Sequence, residues 1–550
     1  MIFHLAMDNQ PATNPARNSW ARLWPWLFVL AVLLFVGFIR FRLLDMPLER
    51  DEGEYAYAGQ LVLQGIPPYE LAYNMKLPGT DFIYALGMAV FGETSAGVHL
   101  TLLVANCVNI VFVFLLGRKL FGNTAGLVAC ASYGVMAVSP AVLGMAAHAN
   151  HFVVLFAVPA TLLLLRDDET RCAANLFFSG LLYGLAFLMT QQGICFCLFG
   201  CFFLVWRAVL SKSVFSTGFA KNGLIFGLGI VLPFTLFCLS CAFAGNFSRF
   251  WFWTVIYARD YAMVMPWPEG MQHLAGHLQL TRNVSQWLWL LAVAGPALAW
   301  LNKSARKQVL FTVVFWLFSF LGTAAGFYFR GHYFVLVLPA FAVLIGMAVV
   351  SLQRILSFGR MKNVLWTLPL ILFGAILSWV IFYQAQALFQ LSPLRLSENL
   401  YQLNPFVESI AVADYIRENS APGARIAVIG SEPEIYFLAQ RHSATGYIYT
   451  YALMEPQPAA LSMQHEMIRE IETNRPEYLV YVSYRLSWLF QPGSDRTILD
   501  WFKQYSERGC ELVGFVHRNS AGEVECFWGD AAKGRRSSGE DYIAVFRRKP

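Results

Sequence analysis

Repeated apolar runs of about 20 residues constrain this chain more than any other feature, because a helical span of a bilayer needs about that length. The pattern predicts a polytopic α-helical membrane protein with about eleven spans. The predicted spans are residues 23–41, 96–117, 124–143, 149–165, 174–190, 192–209, 222–244, 285–301, 308–327, 332–351 and 364–384. The run 82–91 is too short to span, so we predict a re-entrant or interfacial helix there.

Composition excludes the main alternatives to a membrane protein. Charged residues make up 13% of the chain, against roughly 25% in soluble domains. The net charge is +6, but the Lys and Arg residues lie at the ends of apolar runs, where they set membrane topology. We therefore predict contact with membrane lipid and no binding of nucleic acid.

Basic residues occupy alternate short loops, which predicts the orientation of the chain. Cytoplasmic loops of membrane proteins are enriched in Lys and Arg, so the basic loops and the N-terminus are predicted to be cytoplasmic. An odd number of spans then places the C-terminal tail outside. The C-terminus has no ER-retention sequence, which favours a bacterial inner membrane and a periplasmic tail. The basic residues are Arg17 and Arg22; Arg118 and Lys119; Arg166 and Arg171; Arg207, Lys212 and Lys221; Lys303, Arg306 and Lys307; Arg354, Arg360 and Lys362.

The chain divides into a membrane domain, residues 1–390, and a polar tail, residues 391–550. Outer loops 41–95 and 245–285 belong to the first. In the tail, short segments with the pattern of β-strands alternate with segments of helical periodicity. This order predicts a small extracytoplasmic α/β domain. Strands are predicted at 425–430, 478–483, 511–516 and 542–546, and helices at 432–440, 459–473 and 497–508. Cys510 and Cys526 can form a disulfide if the tail is extracytoplasmic.

The first outer loop contains four acids within residues 49–54, followed downstream by an isolated Lys76 before Pro78-Gly79. Acidic residues favour a helix N-terminus, and a lone lysine can extend its charge to a membrane interface. These structural explanations account for one or two of the acids. They leave a catalytic role open for the others and for Lys76.

In this order, the motifs resemble the GT-C membrane glycosyltransferases of glycosyltransferase family 39, which include protein O-mannosyltransferases and the aminoarabinose transferase of lipid A. The matching segments are Asp51-Glu52 with Tyr55-Ala56; Lys76 with Pro78; Phe91-Gly92; Leu116-Gly117-Arg118 with Phe121-Gly122 and Ala125-Gly126; and Arg330-Gly331-His332-Tyr333-Phe334 with Leu338-Pro339. The resemblance extends over most of residues 40–350. It implies a GT-C fold.

The resemblance also implies a reaction. A polyprenyl-phosphate sugar donates its glycosyl group, with inversion, to an acceptor hydroxyl on a protein, a glycolipid or an envelope polymer. Such chemistry needs a base near the acceptor and cations near the leaving phosphate. The matched residues give Asp51 as the base and Glu52 as its supporting acid. Lys76, Arg330 and His332 are the implied phosphate contacts, and Tyr55 and Tyr333 are implied substrate contacts.

Two further groups are weaker candidates for substrate binding. Arg259 lies in the aromatic outer loop 245–285, where Trp and Tyr also suit an ordinary interfacial belt. His148 and His151 occupy a connection that carries another acid in some relatives. Two histidines three residues apart can share a helical face, but two ligands do not complete a metal site. We therefore predict no metal site, while a divalent ion stays an alternative.

Two other functions compete with a glycosyltransferase. A transporter or lipid-linked sugar flippase would favour ionisable residues inside the spans and paired internal repeats. The predicted spans are nearly free of charge, and the acids concentrate in one outer loop. A binding protein on an inactive scaffold is the other alternative, and the presence of Asp51, Glu52 and Lys76 argues against it.

Overall fold

The structure is a computed structural model that describes residues 15–170, 172–357, 365–535 and 541–549, without the side chains of 15–21 and 167–170. The topology predictions for Arg171, Arg360 and Lys362, and for the side chain of Arg17, lie outside this description.

Each predicted span coincides with a helix. Among the described residues, seven helices are long and apolar enough to cross a membrane: Arg22–Arg42, Ser95–Phe121, Ala149–Arg166, Gln191–Leu210, Thr217–Ala244, Lys303–Thr323 and Gly331–Leu356. The remaining predicted spans correspond to helices Asn123–Ala137, Ala173–Met189, Trp267–Trp300 and Leu368–Tyr383. The polytopic helical fold is confirmed, and the total of eleven spans stays a prediction.

Both outer loops contain helices. The first holds Arg50–Leu63, named here the acidic loop helix, and Gly79–Phe91, the short apolar helix expected near 82–91. In the second, helices Phe247–Trp251 and Ala258–Ala262 flank a π-helical turn, Phe252–Tyr257. The next helix begins at Trp267 instead of residue 285 and has a non-helical Ser285 (φ −139°, ψ 31°). Hydropathy detected the apolar half after this kink and missed the more polar half before it.

Arg40 fixes the connection between helices Asn123–Ala137 and Ala149–Thr170. This arginine is 5% exposed. Its guanidinium donates to Ala137 O at 3.1 Å and to Gly144 O at 2.9 Å. The last carbonyls of a helix have no partner within the helix, so a charged donor at this end stabilises the connection. That connection carries His148.

The described residues of the tail form six strands: β1 Arg425–Ile429, β2 His442–Ser443, β3 Tyr478–Val482, β4 Cys510–Arg518, β5 Val524–Trp528 and β6 Tyr542–Arg548. They make one mixed sheet with strand order β2-β1-β3-β6-β4-β5. Strand β1 is parallel to β2 and β3, while β6 is antiparallel to β3 and β4. The tail helices are Pro393–Tyr401, Phe406–Asn419, Glu434–Ala439, Tyr451–Met454, Ala460–Asn474, Arg485–Trp488 and Thr497–Gly509. The α/β tail is confirmed; Cys510 and Cys526 are unpaired in this structure.

The tail packs directly on the acidic loop helix. Arg50 forms a buried ion pair with Glu432, Nη2 to Oε1, at 2.8 Å and also donates to Asn404 Oδ1 at 2.9 Å. Gly53 lies so close that an added Cβ would fall 2.6 Å from Glu434 N and 2.8 Å from its Cα. Contacts below 3.0 Å to backbone force a shift, so glycine is required for this approach.

We expect Gly53→Ala to separate the tail from the loop helix and to lower the melting temperature of the purified protein. The matched control is Gly374→Ala in helix Leu368–Tyr383, where an added Cβ meets nothing within 4 Å. Thermal unfolding in detergent and limited proteolysis of the tail measure the effect. Equal stability of both variants and wild type would contradict the close approach.

Glu434 introduces a pH dependence at this interface. Burial, with the neighbouring charge of Glu432, raises the pKa of Glu434 from 4.5 to about 8. Between these values the folded chain keeps a proton that the unfolded chain releases, so stability falls as pH rises through this window.

Glu434→Gln removes this ionisable group. We therefore expect a melting temperature above that of wild type at pH 8.5 and a much smaller difference at pH 4.5. The exposed Glu418→Gln is the control. Melting curves across this pH range measure the effect, and a difference that grows as pH falls would contradict the raised pKa.

Candidate active site

Two acids of the first outer loop hold the N-terminus of the acidic loop helix. Glu49 is the N-cap, and its Oε1 accepts from Glu52 N at 3.0 Å; Glu52 Oε2 accepts from Glu49 N at 3.1 Å. This reciprocal arrangement satisfies backbone donors that a helix start leaves free. Glu52 Oε1 also accepts from Ala147 N at 2.6 Å. The capping explanation therefore holds for Glu49 and Glu52 and leaves Asp51 and Glu54 for other contacts.

Lys76 joins Asp51 and Glu54. Its Nζ lies 2.7 Å from Asp51 Oδ1 and 2.6 Å from Glu54 Oε2, and 4.6 Å from the centroid of the Tyr55 ring. The Lys76 side chain is 18% exposed, which leaves it accessible from one side. Charge-assisted hydrogen bonds and the π face together stabilise an ammonium group that has lost most of its water.

The backbone around Lys76 is held from three directions. Lys76 N donates to Asn74 Oδ1 at 2.6 Å, and Tyr69 OH donates to Lys76 O at 2.8 Å. Gln191 Nε2 donates to Met75 O at 2.7 Å. The loop that carries the ammonium group is therefore fixed before any substrate arrives.

The charges around Asp51 decide its protonation. Burial alone would raise the pKa of Asp51, but the opposing charge of Lys76 is the largest effect that lowers it, and the pKa lies well below its usual range. Burial raises the pKa of Glu54 to about 7, against the opposing charge of Lys76. Asp51 is thus the ionised carboxylate of this pair at neutral pH.

Two histidines lie on the other side of Asp51. Asp51 Oδ2 is 3.8 Å from His148 Nδ1 and 3.9 Å from His332 Nε2. The two imidazoles stack, with ring centroids 4.0 Å apart and planes at 16°. Two regions far apart in sequence, the 138–148 connection and the segment after Arg330, therefore meet at one carboxylate.

Arg330 adds a second cation to the same region. Its Nη2 donates to Tyr261 OH at 2.9 Å, and its Cζ lies 5.4 Å from the Tyr328 ring centroid. Tyr261 and Tyr328 stack at 4.6 Å. A guanidinium carries five N–H donors, so the bond to Tyr261 leaves donor capacity for an anion.

The tail contributes side chains to the site. Tyr449 OH donates to Asp51 Oδ1 at 3.1 Å. Glu455 Oε2 accepts from Tyr257 OH at 2.6 Å, and burial raises the pKa of Glu455 to about 7. Tyr451 OH donates to Leu486 O at 2.7 Å and its ring lies beside Arg50. The tail is therefore part of the site wall as well as a cover.

These groups surround one cavity of about 510 Å³, a size typical of small-molecule sites. Its wall combines the acidic loop helix, the Lys76 loop, the second outer loop, the Arg330 segment and the tail. The polar side chains that line it include Glu49, Asp51, Glu54, Lys76, His148, Gln191, Arg330, His332 and Glu455, and the aromatic ones Tyr55, Trp253, Tyr257, Tyr261, Tyr333, Tyr447, Tyr449 and Tyr451.

Most of the residues predicted from the sequence line this cavity, and three do not. Glu52 is 0% exposed and lies behind Asp51, with its Oε1 3.2 Å from His99 Nε2. His151 is buried and contacts Asn106 Nδ2 at 3.1 Å. Arg259 is an exposed residue paired with Asp260 at 2.7 Å. The catalytic supporting role of Glu52 and the roles of His151 and Arg259 in substrate binding stay predictions.

Residues of the tail were missed as site candidates. Segment 447–451 has a tyrosine at every second position, namely Tyr447, Tyr449 and Tyr451. Clustered tyrosines in an otherwise polar tail were the available signal, since aromatic residues mark binding surfaces. Glu455 follows the same segment.

The fold and cavity define a multi-pass membrane protein with a polar site under a mixed α/β tail. Residues 76–237 match the family model of dolichyl-phosphate-mannose-protein mannosyltransferase. The fold is shared with ArnT from Cupriavidus metallidurans bound to undecaprenyl phosphate, at a TM-score of 0.59 and 13% identity over 95% of this chain and 98% of that one. The apo form of ArnT gives a TM-score of 0.54 at 14% identity, over 96% of this chain and 98% of that one.

Sequence relatives point to the same family. An undecaprenyl phosphate-alpha-4-amino-4-deoxy-L-arabinose arabinosyl transferase of Pseudomonas aeruginosa strain LESB58 is 29% identical over 282 residues, which are 47% of this chain and 46% of the relative. Its counterpart in Pseudomonas paraeruginosa is 28% identical over 276 residues, 47% of this chain and 46% of that relative. This chain thus spans about half the length of these curated relatives. The matches confirm the resemblance to the GT-C glycosyltransferases of family 39.

We expect the Lys76 pairing to dominate local stability. Lys76→Met leaves the buried Asp51 carboxylate, and Glu54 where it is ionised, without their cation, a change that typically costs about 3–5 kcal/mol. Adding Glu54→Gln removes one of those carboxylates, so the double variant is expected to regain part of the loss.

Melting temperatures of the four chains of this double-mutant cycle measure the coupling, with the exposed Lys503→Met as the control. Effects that add within about 0.5 kcal/mol would contradict a lysine shared by Asp51 and Glu54.

Proposed function

We propose that this protein transfers a glycosyl group from a polyprenyl-phosphate sugar to an acceptor hydroxyl on the outer face of the membrane, with inversion. The observation that carries the proposal is the ionised Asp51 between Lys76 and the open cavity. Its Oδ1 is held by Lys76 and Tyr449, while Oδ2 faces the cavity histidines. The matched family and the ArnT fold supply the donor class.

Asp51 acts as the general base in this mechanism. The acceptor oxygen forms a bond to the anomeric carbon while the bond from that carbon to the phosphate oxygen breaks. The acceptor proton passes to Asp51 Oδ2, and the bonding electron pair leaves with the polyprenyl phosphate. Attack from the face opposite the leaving group gives inversion. Because Tyr449 and Lys76 fix Oδ1, the carboxylate is already oriented when the acceptor enters.

Arg330 and Lys76 stabilise the departing phosphate. Arg330 and Lys76 both line the cavity, so a phosphate that contacts both would meet two cations. Arginine suits this role because its planar fork matches phosphate oxygens. Lys76 would exchange part of its contact with Glu54 for the phosphate, and protonation of Glu54 near neutral pH assists that exchange. Preorganised positive charge at the leaving oxygen lowers the barrier to bond cleavage.

The helix directions support an outer location for the cavity. Helix Ser95–Phe121 begins near the cavity, where His99 lies 3.2 Å from Glu52, and ends with Arg118 and Lys119. Its 27 residues extend about 40 Å, the thickness of a bilayer. Basic residues favour the cytoplasmic side, which supports an outer location for the cavity and the tail. In a bacterial inner membrane this side is the periplasm, where lipid-linked donor and envelope acceptors would meet.

The aromatic part of the cavity is suited to the acceptor. Trp253 and Tyr257 line the wall nearest the tail, and Glu455 accepts from Tyr257 OH. Rings with a polar edge stack on sugars and hydrogen-bond their hydroxyls. We assign this wall to the acceptor, whether a protein hydroxyl, a glycolipid or an envelope polymer, and the Arg330–Lys76 wall to the donor phosphate.

Asp51→Asn tests the assignment of the base. We expect transfer from a panel of labelled polyprenyl-phosphate sugars to fall by about 100-fold or more, as for loss of a general base. Asp45→Asn is the matched control, because Asp45 is an exposed carboxylate of the same loop. Membranes containing equal amounts of each folded protein are compared.

Two results would count against the proposal. Undiminished transfer by Asp51→Asn would rule out Asp51 as the base. If wild type transferred sugar from no donor in the panel, a lipid-linked sugar flippase or a binding protein on an inactive scaffold would become the better explanation.

A further inference from the structure

Two histidines approach Asp51 on the side away from Lys76. One ligand atom each of Asp51, His148 and His332 lies within 4.8 Å of the others. We propose that these three residues bind one divalent transition-metal ion of the Zn²⁺ class in the cavity wall. The site rests on its own geometry, and its test does not require the glycosyl-transfer reaction.

The His148 side chain is buried without a hydrogen-bond partner in the part of the chain that the structure describes. It is 2% exposed, and neither ring nitrogen has a hydrogen-bond partner among the described residues. Buried polar side chains in native structures are almost always paired, so this imidazole has a missing partner. His148 lines the cavity, where an ion at Nδ1 would supply that partner.

The imidazole rings of His148 and His332 pack against each other. His148 and His332 stack with centroids 4.0 Å apart. Two imidazolium cations would repel each other at this distance, so the geometry suits neutral imidazoles, which are the metal-binding form. Their nitrogens both approach Asp51 Oδ2, at 3.8 and 3.9 Å.

The distances suit an ion after a small adjustment. Zn²⁺ binds imidazole nitrogen and carboxylate oxygen at about 2.0–2.2 Å, which places tetrahedral ligand atoms about 3.3–3.5 Å apart. Rotations that move the side chains by about 1 Å would bring the three atoms to that spacing. The cavity provides the open position for a water or a substrate oxygen.

The ligand types select the class of metal. Two imidazoles with one carboxylate suit Zn²⁺ and neighbouring transition metals, whereas Mg²⁺ and Ca²⁺ prefer oxygen ligands. Lys76 opposes a nearby cation, but it contacts the other oxygen of Asp51. Glu49 Oε1 lies 3.5 Å from His148 Nδ1, beside the ion position.

This site differs from the histidine pair visible in the sequence. His151 contacts Asn106 and lies away from the cavity. The second imidazole comes instead from His332, far along the chain. The ligand set therefore joins three outer segments and exists only in the folded protein.

Metal binding to the full-length protein tests the proposal. Untagged protein is treated with EDTA, loaded with Zn²⁺ or Co²⁺ and desalted, without any sugar donor. We expect one Zn²⁺ per chain by elemental analysis, and visible absorption from bound Co²⁺. X-ray absorption of the Zn²⁺ form is expected to give two imidazole ligands at about 2.0–2.1 Å. This measurement uses wild type and does not depend on variants that fold.

Variants then locate the site. His148→Gln and His332→Gln are each expected to weaken Co²⁺ binding at least tenfold, while His465→Gln, at an exposed tail residue, is the control. Wild type that retains no ion, an all-oxygen ligand shell, or unchanged binding by both cavity variants would overturn the proposal. Since no donor is present, such a failure is distinct from failure of the transfer mechanism.

Discussion

The acids at the start of the acidic loop helix have to be stabilised away from bulk water, and the rest of the outer structure depends on how this is done. An uncompensated buried charge is strongly destabilising. Glu49 and Glu52 cap the helix reciprocally, while Asp51 and Glu54 share Lys76. Arg50, on the same helix, forms an ion pair with Glu432 of the tail. One helical turn thus fixes both the cavity and the docking of the tail.

The cavity is therefore complete only when the membrane domain and the tail pack together. The membrane domain supplies Lys76 and Arg330, and the tail supplies Tyr449, which donates to the same oxygen of Asp51 that Lys76 contacts. Gly53 permits the close packing that brings these parts together. The acidic loop helix therefore couples the tail to the site. One face of this helix carries Asp51, and another face contacts Glu434 of the tail.

Local sequence pattern predicted much of this architecture because hydrophobic length and strand alternation are local properties. The helices and most tail strands were found in this way, and Asp51 and Lys76 stood out because isolated charges beside spans need partners. Long-range packing could not be found by the same means. Tyr449 reaches Asp51 only because the tail folds back, and the polar start of helix Trp267–Trp300 lacks the hydropathy of a span. The sequence does not distinguish Arg259 from Arg330 as site candidates, but Arg259 is exposed and Arg330 lines the cavity.

The two oxygens of Asp51 have unequal surroundings, and this asymmetry connects the proposed reaction with the proposed metal site. Oδ1 is occupied by Lys76 and Tyr449, so its position is set by the protein. Oδ2 faces His148 and His332 and the open cavity. A proton from the acceptor and a metal ion would therefore compete for the same oxygen. Because one lone-pair direction of a carboxylate oxygen can hold an ion while another accepts a hydrogen bond, the two are compatible only if the acceptor approaches Oδ2 from the side away from the histidines.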